Sequence, residues 1–267
     1  MTYEMKVSRA NPGLILLVLD DSGSMRDDLP GTTDQKHQWV ARYLGIILKL
    51  LLIRSTETTR QPIVVKPRYY VHTILYGSRP QLWGAEEMGI ENAVELYTQN
   101  GNSIGLSGSL GGTDSNAAME MAYAYLQRAV TSERFKMSFP PMVFHLTDGE
   151  SQSDASAVSE QIKQLQTTDG NTLVLNAYIG TRTSLNYTAP EDFTGYTETG
   201  EAGPSHDNIR LFQMSSEMPE SIRHYLAEKE IFPKIRHGSR LFFDVRTKEM
   251  LQHVIQVVGS IESRPNR

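Results

Sequence analysis

Six consecutive apolar residues, Leu14 to Leu19, end abruptly in the polar loop Asp20 to Ser24 (DDSGS), and this run constrains the fold more than any other feature. A run without a polar side is typical of a strand that is buried on both faces of a parallel sheet. Because ligands of such sheets bind beyond the carboxyl ends of the strands, the polar loop is a candidate binding site. The chain is therefore predicted to be an α/β protein.

Strand and helix patterns alternate along the rest of the chain. Apolar residues recur at helical spacing over 40–51, 90–97, 118–129, 158–165, 220–230 and 250–261, and further strands are predicted at 69–76, 81–83, 142–147, 173–179 and 241–245. Strands that alternate with helices of this length imply right-handed crossovers. A Gly-Ser-Arg-Pro turn joins strands 69–76 and 81–83, so one of them should run antiparallel at the edge. We predict a doubly wound, mostly parallel, Rossmann-like sheet with one antiparallel edge strand and helices on both faces.

Length and composition indicate a single globular domain. Of the 267 residues, 39% are hydrophobic and 21% are charged, which allows a sizeable core to be buried. We expect one domain over residues 1–267, with its core at about 13–262. A stretch without periodicity but with several glycines and prolines predicts an inserted loop at about 181–208.

Charge and cysteine usage narrow the classes of partner and the compartment. The formal net charge of −5 provides no excess positive field to hold a nucleic-acid backbone. The absence of cysteine excludes thiolate metal sites and cysteine nucleophiles, and it fits a reducing compartment. Neither a secretory signal nor an apolar run long enough to cross a bilayer is found. A cytoplasmic protein that binds neither nucleic acid nor membrane is predicted.

Three polar clusters stand where predicted strands end or predicted helices begin: residues 20–24, 113–114 and 147–150. All three should meet at the point where the strand order reverses. The alternation of Asp20, Ser22 and Ser24 allows an extended loop to turn every second side chain toward one point. Hydroxyl and carboxylate oxygens suit Mg²⁺, which prefers about six oxygen ligands, and Mn²⁺ and Ca²⁺ are also compatible.

The same three clusters resemble a known site. Residues 16–25 (LLVLDDSGSM), 111–114 (GGTD) and 146–149 (LTDG) are similar to the three-part metal-ion-dependent adhesion site (MIDAS) of von Willebrand factor type A (vWA) domains. They occur in the family's order and span nearly the whole core. The resemblance implies a doubly wound Rossmann-like sheet with one antiparallel edge strand, in agreement with the pattern of strands and helices.

The resemblance also implies a set of metal ligands. Ser22 and Ser24 would bind the metal directly, Thr113 directly or through water, and Asp20 and Asp148 mainly through water. The remaining coordination position would accept a Glu or Asp side chain of a protein partner. Each residue has a plainer alternative, since Asp and Ser are frequent in turns and Thr and Asp often cap helices.

Three functional hypotheses follow from these residues. The leading one is a non-enzymatic, metal-dependent protein-binding module, similar to stand-alone intracellular vWA proteins of bacterial stress response and tellurite resistance. An alternative is a scaffold vWA subunit of an AAA+ ATPase complex. A third is a Mg²⁺-dependent phosphohydrolase of the haloacid dehalogenase type, which needs a nucleophilic Asp and a second Asp two residues on. This third hypothesis is disfavoured because Ser22 replaces the second Asp.

Two segments are candidates for partner specificity. The 181–208 insertion follows a strand end, and we hypothesise that it forms an acidic rim around the metal through Glu191, Asp192, Glu198 and Glu201. A mobile surface loop without a partner is the alternative. Residues 83–110 lead into Thr113 and form the second candidate segment.

Residues beside the motifs are given no direct role. Alternation predicts that Asp21 points away from the metal, and Glu150 is interpreted in the same way as a surface or supporting group. His145 is interpreted as a core residue beneath Asp148, since no histidine in the chain has metal-ligand spacing.

Overall fold

The computed structural model describes residues 3–29, 32–57, 64–149, 151–180, 187 and 189–259. The strands are β1 (Gly13–Asp20), β2 (Thr56–Glu57), β3 (Val64–Val65), β4 (Tyr69–Tyr76), β5 (Pro80–Leu82), β6 (Met88–Gly89), β7 (Met142–Thr147), β8 (Leu173–Tyr178) and β9 (Phe242–Asp244). The helices are α1 (Lys36–Ser55), α2 (Ile90–Gln99), α3 (Ser115–Ala129), α4 (Ser156–Gln164), α5 (His206–Met214), α6 (Glu220–Glu228) and α7 (Lys248–Val258).

The main sheet has the order β5-β4-β1-β7-β8-β9, with β6 also paired to β4. β1 is parallel to both β4 and β7, and β8 and β9 continue the parallel arrangement. Only β5 and β6 run antiparallel to their neighbour β4 in the described part of this sheet. The predicted doubly wound, mostly parallel sheet with an antiparallel edge is therefore confirmed.

The strand order reverses at β1. From β1 the chain passes through α1 to β4 on one side, and it later returns to place β7 on the other side. Every residue of β1 is buried, as are all residues of β7 and β8, because helices cover both faces of the sheet. The loops that follow β1 and β7 consequently share the crevice in which α/β proteins bind ligands.

Both edges of the sheet are short. β5 has three residues and begins with Pro80, which has no N–H to offer a further strand. β9 also has three residues, and the chain just before it is covered by the insertion, since Arg240 N donates to Tyr196 O at 2.9 Å. The Phe193 ring lies 5.5 Å from that of Phe243 in β9.

The described part of the 181–208 segment consists of connecting chain with short turns, and α5 begins near its end at His206. Two 3-10 turns, Pro190–Asp192 and Thr199–Ala202, precede α5, and Phe193 and Tyr196 are buried between them and the core. Residues 181–186 and 188 of the predicted insertion lie outside the described residues, as do Glu150 and the end of the final predicted helix beyond residue 259.

One helix of the structure, α5, has no counterpart among the predicted helices. Fully buried Asn208 on its inner face interrupts the apolar period. α1 begins at Lys36, and the carboxylate of Asp34, two residues before it, contacts Lys248 Nζ at 3.1 Å. No helix in the described part of the chain is both long and apolar enough to cross a membrane.

Candidate metal centre

The loop after β1 brings two hydroxyl groups together and holds a buried carboxylate behind them. Ser22 Oγ and Ser24 Oγ lie 3.2 Å apart. Asp20, the last residue of β1, accepts hydrogen bonds at both carboxylate oxygens, from Ser22 N at 2.9 Å and from Thr147 Oγ1 at 2.7 Å. The Asp20 side chain is fully buried. These contacts fix the loop in the conformation that turns both serines to the same place.

Backbone hydrogen bonds attach the second motif to the first. Gly23 N donates to Gly111 O at 2.9 Å, and Leu110 N donates to Asp21 O at 3.0 Å. Asp114 caps α3 by accepting a hydrogen bond from Ala117 N at 3.0 Å. Ser153 Oγ donates to the same carboxylate and is the main cause of its lowered pKa. The predicted capping role of this cluster therefore belongs to Asp114, which leaves Thr113 free for the crevice.

An open polar cavity of about 450 Å³ lies over these motifs. It is lined by Ser22, Gly23, Ser24, Gly111, Gly112, Thr113, Ser151, Gln152 and Asp207. Three of the five predicted ligands thus line one space, and the other two, Asp20 and Asp148, are buried and do not line it.

Asp148 has one engaged and one free oxygen. Its Oδ2 accepts a hydrogen bond from Lys36 Nζ at 3.0 Å, whereas its buried Oδ1 has no hydrogen-bond partner among the described residues. Lys36 Nζ also lies 3.3 Å from Ser24 O. Lys36 was not predicted, because a single lysine at the start of a helix carries no motif.

Burial and a neighbouring charge perturb Asp20. Desolvation is the main cause that raises its pKa to about 6, and the Asp148 carboxylate adds to the effect. Hydrogen bonds from Ser22 and Thr147 oppose the shift without cancelling it. The two acids therefore lie close enough to repel each other, and a cation between them would be favourable.

These groups fit a hard divalent cation. Two converging hydroxyls and a buried carboxylate oxygen without a partner are the oxygen donors that Mg²⁺ or Mn²⁺ takes. Among the described residues, no group of three or more His, Asp or Glu side chains could hold a metal by itself. A metal here would therefore depend on the serine and threonine hydroxyls.

Asp21 supports the neighbouring loop. Its side chain is 1% exposed, so it is not a surface group, and it does not line the cavity. One carboxylate oxygen accepts hydrogen bonds from the backbone N–H groups of Ser107 and Gly108. These hydrogen bonds engage Asp21 with the end of the 83–110 segment, and its orientation relative to a bound metal stays a prediction.

A buried polar chain crosses the sheet beneath the site. Tyr76 OH lies 2.7 Å from His145 Nε2, and His145 Nδ1 lies 2.7 Å from Asn176 Oδ1. Asn176 Nδ2 donates to Leu211 O and Ser215 Oγ, so its Oδ1 must accept the proton on His145 Nδ1. His145 Nε2 then accepts from Tyr76. His145 is 1% exposed, which confirms that it is a core residue, and this burial lowers its pKa to about 4.

The insertion reaches the cavity through a residue that was not anticipated. Asp192 pairs with Lys234 and Glu201 pairs with Arg236, each at 2.8 Å, so two of the four acids proposed for the rim are neutralised away from the cavity. Asp207, at the start of α5, lines the cavity instead.

Solved structures with the same architecture are found in adhesive and membrane-associated proteins. Proximal thread matrix protein 1 of the mussel byssus aligns with a TM-score of 0.52 at 9% identity, over 93% of this chain and 47% of that chain. A pilus adhesin of Lactobacillus rhamnosus GG gives a TM-score of 0.57 at 14% identity, over 96% of this chain and 31% of that chain. An aerotolerance-related membrane protein of Bacteroides fragilis gives 0.50 at 13% identity, over 91% and 96%.

The chain has the vWA fold. It spans about half the length of the mussel protein, and at these identities the likeness concerns the fold alone. No protein-family model matches the sequence, and no curated protein matches it either. The three motifs follow β1, precede α3 and follow β7, which places the candidate metal centre at the carboxyl ends of the parallel strands.

Proposed function

We propose that the chain is a non-enzymatic, metal-dependent protein-binding module, and that its cation is Mg²⁺. The observation that carries the proposal is the convergence of Ser22, Ser24 and Thr113 on one open cavity, together with a buried Asp148 oxygen that has no hydrogen-bond partner among the described residues. One related structure adds support, since a form of the mussel byssus protein with a TM-score of 0.50 at 12% identity is described as having a zinc-occupied MIDAS motif.

The five predicted ligands would contact the cation in two ways, directly and through water. Ser22, Ser24 and Thr113 would hold the cation, while Asp20 and Asp148 would act mainly through water. Because hydroxyls do not neutralise a divalent cation, the bound ion would keep the Lewis acidity to take a carboxylate from a partner. Hydrogen bonds to Asp20 keep the loop in position before any ligand arrives.

Asp20 is poorly placed to act as the nucleophile of a phosphohydrolase. Both of its carboxylate oxygens accept hydrogen bonds from the protein, and its side chain is fully buried and does not line the cavity. A nucleophile must reach the reacting atom directly. This geometry favours binding over phosphoryl chemistry.

The proposed partner is a protein that supplies a Glu or Asp side chain. The open cavity would admit such a side chain beside Gln152 and Asp207. We place this interaction in the cytoplasm, within a bacterial stress-response or defence assembly of the tellurite-resistance type. A scaffold role beside an AAA+ ATPase is the alternative, and it predicts partner binding that does not depend on the metal.

Replacing both metal-facing serines tests the proposal. The Ser22→Ala/Ser24→Ala protein is expected to bind Mn²⁺ or Mg²⁺ at least roughly a hundredfold more weakly in calorimetric titration, because two ligands are lost. Ser109→Ala is the matched control, since Ser109 is exposed on the same loop face and does not line the cavity. Affinity capture of partners in Mg²⁺ buffer should likewise fail with EDTA and with the double variant. Capture that survives both treatments would contradict the proposal.

Metal affinity is expected to fall as the pH is lowered through 6. Because the pKa of Asp20 is raised to about 6, its folded-state carboxyl is mostly ionised at pH 7 and mostly protonated at pH 5. Protons then compete with the cation, which weakens apparent affinity about tenfold between pH 7 and pH 5. Mn²⁺ titrations across this range measure the effect.

The control for this pH dependence is Asp20→Asn, which should bind weakly with a flatter profile. It is needed because burial also raises the pKa of Asp244 to about 7, although Asp244 does not line the cavity. Equal pH profiles for the wild-type and Asp20→Asn proteins would exclude Asp20 as the titrating group.

A further inference from the structure

A lysine side chain is built into the candidate metal centre. Lys36 is 8% exposed, and its ammonium group contacts Asp148 Oδ2 at 3.0 Å and Ser24 O at 3.3 Å. Asp27 lies 3.8 Å from the same nitrogen, but its side chain is 71% exposed, so solvent screens that pair. Lys36 therefore joins the first and third motifs through a single charged group.

The position of Lys36 in α1 is unfavourable unless the site uses its charge. Lys36 is the first residue of the helix, where the backbone dipole disfavours a cation. Lysine also loses side-chain entropy and hydration when it is buried. The contact with the Asp148 carboxylate offsets these costs. The same carboxylate is one of the predicted metal ligands, so it already has a fixed ammonium group as its partner.

We propose that Lys36 is a tethered cation of the metal centre, which keeps the site formed without a divalent ion and shifts its selectivity from metal toward anionic ligands. The inference rests on the proposed function and adds a residue that none of the motifs contains. Its first consequence is that the ammonium and a divalent cation compete for the same carboxylate.

The charge balance gives the second consequence. Asp20 and Asp148 carry two negative charges when ionised, and Lys36 cancels one of them. With a divalent cation bound, this set has one net positive charge, whereas the same set without Lys36 would be neutral. Asp207, on the cavity wall, is paired with Arg210 at 2.9 Å and changes the balance little. A partner carboxylate is therefore attracted more strongly when Lys36 is present.

Lys36→Met tests the inference, because methionine keeps much of the apolar stem and removes the charge. Mn²⁺ is expected to bind roughly tenfold or more tightly to the variant than to the wild type. Acetate, as a free carboxylate, should bind more weakly to the Mn²⁺-saturated variant. The melting temperature in EDTA should fall, and saturating Mn²⁺ should recover most of the loss. Lys49→Met is the matched control, since Lys49 is exposed on the same helix.

The outcomes separate the inference from the proposed function. If the wild type binds Mn²⁺ and Lys36→Met binds it equally or more weakly, the inference is overturned and the proposed function stands. If neither protein binds Mn²⁺, both fall. If only the variant binds, Lys36 excludes the divalent ion from the native protein, and both the inference and the proposed function are overturned. Lys36→Gln, which keeps a hydrogen-bond donor, provides the same comparison should Lys36→Met fail to fold.

Discussion

Replacing Asn176 with leucine is expected to destabilise the protein by about 1–3 kcal/mol, although leucine has nearly the same shape. Asn176 is fully buried in β8, where its amide donates to Leu211 O and Ser215 Oγ and its Oδ1 accepts from His145 Nδ1. The change removes the acceptor of His145 Nδ1, whereas Leu211 O still accepts from Ser215 N at 3.1 Å and from Ser215 Oγ at 2.8 Å. Each buried polar group that is left without a partner costs about 1–3 kcal/mol.

Urea unfolding in EDTA measures the Asn176→Leu effect without any contribution from metal. Asn116→Leu is a suitable control, because Asn116 bonds to Glu120 near the surface of α3 and should tolerate the change. A loss below about 1 kcal/mol for Asn176→Leu would mean that a water molecule or a rearranged side chain accepts the hydrogen bond from His145 Nδ1. The polar chain from Tyr76 to α5 would then contribute little to the stability of the sheet.

Gly77→Ala is expected to cost about 3 kcal/mol of stability and to weaken metal binding as well. A Cβ atom at Gly77 would lie 2.3 Å from Leu110 O and 2.6 Å from Leu110 C, both of which are backbone atoms. Gly77 O also accepts a hydrogen bond from Asp114 N at 2.8 Å. The added methyl group must displace the segment from Leu110 to Asp114, which contains Thr113, and overpacking of this kind is destabilising.

Thermal melts and Mn²⁺ titrations of the same preparation measure both effects of Gly77→Ala. Gly200→Ala is the matched control, because nothing lies within 4 Å of the position of its added Cβ. If Gly77→Ala has the same melting temperature as Gly200→Ala and keeps wild-type Mn²⁺ affinity, the close contact between Gly77 and Leu110 does not position the second motif.

The fold could be predicted because its strongest signals are local. The apolar run of β1 has no polar face, and the helical periods of α3 and α7 are long enough to be distinct. α5 could not be predicted in this way. It is short, and fully buried Asn208 on its inner face interrupts the apolar pattern, while Asn176, which donates to Leu211 O at its end, is distant in sequence.

The site could be predicted only in part, for a similar reason. Spacing within the chain brought out Ser22 and Ser24, and the order of the motifs placed Thr113 beside them. Lys36 and Asp207 reach the centre through the packing of α1 and α5, and each lies far along the chain from at least one motif that it meets. A charged residue that reaches the site only through tertiary packing belongs to no motif or apolar period, so the sequence pattern does not predict its role.

The short edges of the sheet affect how copies of this protein can associate. A long row of unpaired backbone N–H and C=O groups invites strand addition and amyloid-like growth. β5 begins with proline and β9 has three residues, so the native sheet gives another chain little backbone to pair with. We therefore expect concentrated native protein to resist aggregation by sheet extension, and the loop face that carries the metal centre to stay available in crowded solution.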